Sequence, residues 1–168
     1  GEKNKLLAET VSESLGRFSK VSMAFAYYDS KFCINLLFNS TIQRGNSEIR
    51  IIFNGLKGSR LESQWNDLIS LKIKLEKRFH KVSIKLFFEK GIFHSKLILA
   101  QDQNVGLVFV GSANLTNAAY SINEEIFLQI KGQVTQFSDY FERIWTSSEA
   151  IDILDMKPEE DEVVPADS

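Results

Sequence analysis

Two runs rich in β-branched and aromatic residues, EIRIIFN (48–54) and VSIKLFF (82–88), flank a stretch with a different period. Its apolar residues Leu61, Trp65, Leu68, Leu71, Leu75 and Phe79 recur at helical steps. A strand, a long helix and a second strand in that order point to parallel pairing, because the helix supplies the crossover that a hairpin lacks. The same alternation starts upstream. Leu7, Val11, Leu15 and Phe18 predict a helix over 5–18, VSMAFAYY (21–28) a strand, and residues 31–38 a short helix. Ser59, with Glu62 three residues on, predicts a capping box at the head of the long helix. Downstream the rhythm changes. GIFHSKLILA (91–100), GLVFVGSAN (106–114) and NEEIFLQI (123–130) follow one another, with QDQN (101–104) as a hairpin turn. Val134, Phe137, Phe141, Ile144 and Trp145 then mark a closing helix. The expected fold class is α/β, with a mixed, mainly parallel sheet flanked by helices on both faces.

A length of 168 residues and a hydrophobic fraction of 43% suit one domain with a real core. No apolar run approaches the ~18 residues that a membrane span needs, so no membrane partner is expected. The single cysteine, Cys33 in FCINLLF, excludes an intramolecular disulfide and reads as a small core residue. It fits a reducing compartment, and the expected location is cytoplasmic. One Cys and two His do not make a zinc site of the common kinds, and no metal or other cofactor is expected. The net charge of −2 is unevenly spread. Residues 148–168 hold eight acidic side chains against one basic, whereas residues 1–147 hold 19 basic against 14 acidic. The expected division is a folded domain over 1–147 and an acidic tail or linker over 148–168, disordered from Lys157. A start without Met and a linker-like end suggest one part of something larger.

The chemistry gathers in three short pieces. His94-Ser95-Lys96 lies on a predicted strand, where residues two apart share a face, so an imidazole and an ammonium project together. Gly111-Ser112-Ala113-Asn114 ends the next strand, and Asn123-Glu124-Glu125 opens the one after. Together these residue types suit attack on phosphorus. An imidazole is a competent nucleophile, and Lys96 and Asn114 offer donors to the non-bridging oxygens. Ser112 and the backbone amides at the Gly111 turn add further donors for substrate binding. A carboxylate such as Glu125 can hold the second ring nitrogen; Glu124 points to the opposite face and is the weaker candidate. A lone strand histidine is more often structural than catalytic, and the companions are what raise His94 above that default. Tyr27, Tyr28, Ser22 and Ser30 are candidates to border the cleft. Arg17, Lys20, Arg44, Arg50, Lys57, Arg60 and Lys90 are scattered cations able to grip phosphates, although surface solvation is their default.

His94-x-Lys96, Gly111-Ser112-x-Asn114 and the Glu124-Glu125 pair together resemble the half-site of the phospholipase D superfamily, over residues 5–146. That family commonly reads His-x-Lys, four residues, Asp, and then Gly-Ser-x-Asn; here Gln101 stands at the Asp position, with Asp102 adjacent. The departure is similar to the branch of metal-independent restriction endonucleases, where His, Lys, Asn and a following Glu form the working set. MAFAYYDS also resembles the first strand and loop of those nuclease domains. The resemblance implies a phospholipase D-like fold, a covalent phosphohistidine intermediate, DNA as partner, and a separate recognition domain or subunit.

Such enzymes use two motifs, the second histidine acting as general acid. His80 lacks downstream companions and reads as a surface residue, so the resemblance implies a homodimer that pairs two copies of His94 across a two-fold axis. Two other readings stay open. One is a lipid phosphodiesterase or phosphatidyl-transferring enzyme; the other is a catalytically silent nucleic-acid-binding module of the same fold.

Overall fold

A computed structural model describes residues 2–39, 47–88, 96–112 and 127–156. The alternation in the first half builds α1 (Glu2–Leu15), β1 (Lys20–Phe25), α2 (Ser30–Phe38), β2 (Glu48–Asn54), α3 (Ser59–Glu76) and β3 (Lys81–Phe87). Then come β4 (Lys96–Asp102), β5 (Val105–Gly111), β6 (Phe127–Gln133), α4 (Thr135–Trp145), β7 (Ala150–Asp152) and a 3₁₀ turn at Ile153–Asp155. The strands form one sheet in the order β6-β5-β4-β1-β2-β3-β7.

The α/β class and the helices on both faces are as expected. The balance of strand directions is not. Among the described strands only β1–β2 and β2–β3 pair in parallel. The β1–β4, β4–β5, β5–β6 and β3–β7 pairs are antiparallel, so the sheet is mixed and mostly antiparallel. The reason lies in the connections: parallel neighbours need a helix-length crossover, and β4 is joined to β5 by the two-residue turn at Gln103-Asn104. Gln103 takes φ 57° to close that turn. The expected tail also begins too early. Residues Ala150–Asp152 pair with β3, and Ile153 is fully buried, so the folded body extends past residue 147.

Strand alternation sorts the sheet into two faces. Val21, Met23 and Phe25 of β1 join Ile49, Ile51 and Phe53 of β2 and Ile98 of β4 under α1, α2 and α3. Ala24, Ile52, Leu97, Leu99 and Val108 pack on the other face against Phe141 of α4. Cys33 is buried in the first core as expected, and burial pushes its thiol up to about 12, which leaves it unreactive near neutral pH. Asp29 caps α2, its carboxylate accepting from the Phe32 amide at 2.9 Å. The capping box at Ser59 does not form. Gly58, at φ 61°, takes the N-cap position and Ser59 becomes the first helical residue.

The second core contains a cation. Arg50 of β2 is buried beneath α4, its guanidinium 4.8 Å from the Phe141 ring centre and 5.4 Å from that of Trp145. It donates to Glu142 at 2.5 Å and to the Ser22 hydroxyl at 3.3 Å. Arg50, a candidate from sequence for phosphate contact, and Ser22, a candidate to border the cleft, are therefore internal braces. Glu142 is held below the usual carboxylate range, first by the Arg50 hydrogen bond. A depressed carboxylate contributes stability that is fully present above its unfolded pKa and is lost as pH falls through the folded one. Glu142 remains 43% exposed, so solvent screens part of the pair. Glu142→Gln is expected to lower unfolding free energy by about 1–2 kcal/mol at pH 7, mostly by leaving Arg50 without its counter-charge. The deficit should shrink as pH drops below about 4, as the wild-type carboxylate protonates; urea titrations of both proteins across pH check it.

Candidate functional site

The register of β1 fixes which ends of the strands meet. Phe25, the last residue of β1, pairs with Lys96, the first of β4. Leu97 pairs with Val110, so Gly111 comes level with Lys96 one step further along. Gly111 in turn pairs with Phe127, the first residue of β6. Neighbouring strands lie about 4.8 Å apart, so Lys96, Gly111 and the start of β6 fall in a row about 10 Å wide at one edge of the sheet. Ser112 follows Gly111 and is exposed. Of the expected site residues, Lys96, Gly111 and Ser112 are thus brought together. His94, Asn114, Glu124 and Glu125 lie outside the described residues, as do Arg44 and Lys90.

Lys96 also has a face. Its cross-strand partner Phe25 belongs to the core under α1–α3, and directly opposed residues project to the same side. Leu97, its neighbour in the chain, belongs to the core under α4. The half-exposed ammonium is therefore directed to the α3 side, at the end where β1 and β2 finish.

That same corner is hollow. A cavity of about 490 Å³ is lined by Tyr27 and Tyr28 after β1, Asn54 at the end of β2, and Arg60, Gln64 and Asp67 on α3. Gln64 is buried and holds its wall: its carbonyl accepts from the Leu56 amide at 2.8 Å and its NH₂ donates to the Asn54 carbonyl at 2.7 Å. Tyr28 stacks on Phe53 with ring centres 3.9 Å apart. Its phenol is pushed well above the ordinary tyrosine range by burial and then by the Asp67 charge, so it stays protonated. Ser30, at the start of α2, donates to Asp67. Tyr27 and Tyr28 therefore line this cavity, and Ser30 is tied to it through Asp67. The roles of Gln64 and Asp67 were not read from sequence. A glutamine inside the Leu61-Trp65-Leu68 stripe was the available signal.

Gln101 and Asp102 lie elsewhere. Gln101 pairs with Lys20 and Gly106, at the opposite end of β4, about 17 Å from Lys96 at ~3.3 Å per residue. It is 6% exposed, and its amide donates to the Gln103 carbonyl at 2.5 Å. Asp102 accepts from both the amide and the hydroxyl of Ser19 at 2.9 and 2.5 Å, tying the hairpin to the start of β1. The position where the family pattern has Asp is thus remote from Lys96, and its change to Gln does not touch that end. His80 is exposed before β3, also at the far end.

The family model described as "Cardiolipin synthase, PLD-like domain" matches residues 15–145. The chain belongs to that family. Among solved structures, this PLD-like domain is similar to Nuc of Salmonella typhimurium, described as a phospholipase D family member. The TM-score is 0.59 at 17% identity, over 88% of this chain and 89% of that one. NucT from Helicobacter pylori gives a TM-score of 0.59 at 15% identity, over 89% and 92%. TrmBL2, an archaeal chromatin protein described as showing a novel mode of DNA binding, gives 0.51 at 14%, over 89% and 51%. At these identities the likeness is one of fold. No curated protein matches the chain in sequence.

A buried carboxylate in place of Gln101 cannot donate to the Gln103 carbonyl and pays for desolvation. Gln101→Asp is therefore expected to lower the urea midpoint while leaving the Lys96 end intact, with heteronuclear NMR shifts confined to the 101–106 hairpin and the start of β1.

Proposed function

We propose that this PLD-like domain is a metal-independent phosphodiesterase that cleaves DNA, the catalytic domain of a restriction-type endonuclease. The observation that carries the reading is the row at one edge of the sheet. Lys96, Gly111-Ser112 and the start of β6 lie side by side there, and they are chain neighbours of His94, Asn114 and Glu125. In the proposed reaction His94 attacks phosphorus, and a P–N bond forms as the P–O bond to the leaving strand breaks. The departing oxygen takes its proton from His94 of the partner subunit in a two-fold homodimer. Lys96, Asn114, Ser112 and the Gly111 backbone hold the non-bridging oxygens as charge builds on them. Glu125 accepts from the second ring nitrogen and supports the cationic adduct. Water, deprotonated by the second histidine, then attacks phosphorus; the P–N bond breaks, and a phosphomonoester and free imidazole result. Sequence choice would come from a separate recognition domain or subunit, and the DNA backbone would be held largely by charge.

A second reading, lipid phosphodiester chemistry, is favoured by one observation, the family description as cardiolipin synthase. No described helix is long and apolar enough to cross a membrane. A third, a silent nucleic-acid-binding module, draws on the fold likeness to TrmBL2. Three arms separate these readings. Plasmid cutting is expected to persist in excess EDTA and to disappear in His94→Ala with the fold retained by circular dichroism. Head-group release from phosphatidylcholine vesicles without DNA cleavage would establish the lipid reading instead, and DNA binding without cutting would establish the silent one. Light scattering is expected to give the mass of two chains; a monomer that keeps full activity at nanomolar concentration would remove the dimer from the mechanism.

A further inference from the structure

The cavity between β1, β2 and α3 lies at the same end of the sheet, and on the same face, as Lys96. The proposed chemistry at phosphorus does not use it. Tyr27 follows Phe25, the strand partner of Lys96, by two positions, so the cavity mouth is within the reach of one nucleotide of a chain held at Lys96.

Its lining is selective. Tyr27 is 57% exposed at the rim, a large aromatic surface left in contact with water. Arg60, also exposed, stands in the first turn of α3 on the same rim. Asp67, exposed further along α3, presents a carboxylate that already accepts from Ser30 and has further acceptor capacity. Tyr28 and Gln64 fix the floor and are committed to their own hydrogen bonds. An anion is disfavoured beside Asp67, so the part of the cavity next to it suits a neutral, flat group bearing N–H donors. The rim suits stacking and one phosphate. The volume of about 490 Å³ is that of a small-molecule pocket, open at one side.

We propose that this cavity receives one unpaired nucleobase of the strand whose phosphodiester is held at Lys96, which makes single-stranded or locally unpaired DNA, as in a supercoiled plasmid, the preferred substrate. The inference rests on the phosphodiesterase reading above and specifies its substrate. Tyr27 stacks on the base, Asp67 accepts from its amino or imino edge, and Arg60 meets the next phosphate. A base within a duplex reaches such a cavity only after it is unpaired and unstacked, so a blunt duplex is disfavoured.

The test compares the full chain with Tyr27→Ala, Tyr27→Trp and Arg60→Ala. Three substrates are used: a short single-stranded oligonucleotide, the same sequence as a blunt duplex, and bis(p-nitrophenyl) phosphate, a diester without a base. Wild type is expected to show a lower KM for the single strand than for the duplex. Tyr27→Ala is expected to raise the single-strand KM by about fivefold or more, the loss of one stacked base. Its kcat, and its kinetics on bis(p-nitrophenyl) phosphate, should stay near wild type. Tyr27→Trp should restore the KM, which a merely structural role for Tyr27 would not predict, and Arg60→Ala should raise KM and weaken its salt dependence. Equal KM values for single strand and duplex, with Tyr27→Ala unchanged on both, would overturn the proposal while leaving the phosphodiesterase reading intact. No hydrolysis of any of the three substrates by wild type would overturn both.

Discussion

The pairing of β1 with β4 is the constraint on which the rest of the molecule depends. β1 runs parallel to β2 on one side and antiparallel to β4 on the other, so it joins two differently built halves into one sheet. Its register sets Phe25 opposite Lys96. A slip of one residue would turn Lys96 from the α3 face to the α4 face and return Leu97 to the wrong core. The apolar sorting of β4 prevents this: Leu97 and Leu99 fit the core under α4, and Ile98 and Ala100 the core under α1–α3. The Lys96 ammonium is thus aimed by the burial of four uncharged neighbours.

The two ends of the sheet carry polar groups of different kinds. At the far end Asp102 binds Ser19, and Gln101 is folded into the hairpin; both hold strand ends together. At the near end Lys96, Ser112 and Arg60 remain exposed or half-exposed. Between them, beneath α4, Arg50 is neutralised by Glu142 and covered by two aromatic rings. Charge content therefore says little about nucleic-acid contact here. Burial decides which cations are braces and which face solvent.

Much of the architecture was legible because the periods are clean. The helical spacing of Leu61 to Phe79 and the β-branched runs on either side specify a βαβ unit, and the structure contains it. The proportion of parallel pairs was not legible, because it depends on where β4 inserts. That strand joins the sheet beside β1 rather than beside its predecessor β3, a choice made by complementarity of faces, not by any local signal. β7 was hidden for a related reason: three residues in an acidic stretch carry no strand pattern until the open edge of β3 offers them partners. At Gly58 the local rule itself misled, since a glycine able to adopt φ 61° displaced the serine cap by one position.

The candidate site divides along the same line. Sequence alone determined the residue types and spacings of His94, Lys96, Gly111, Ser112, Asn114 and Glu125, because spacing along a strand fixes which residues share a side. It also determined the family pattern and the gap in it at Gln101. Tertiary structure alone decided that Lys96 and Gly111-Ser112 share an edge, that position 101 is remote from it, and that Arg50 is sealed inside. It also decided that Tyr27, Arg60 and Asp67 enclose one cavity. These are contacts between residues tens of positions apart, and only the packing of α3 against the ends of β1 and β2 brings them within reach of one ligand.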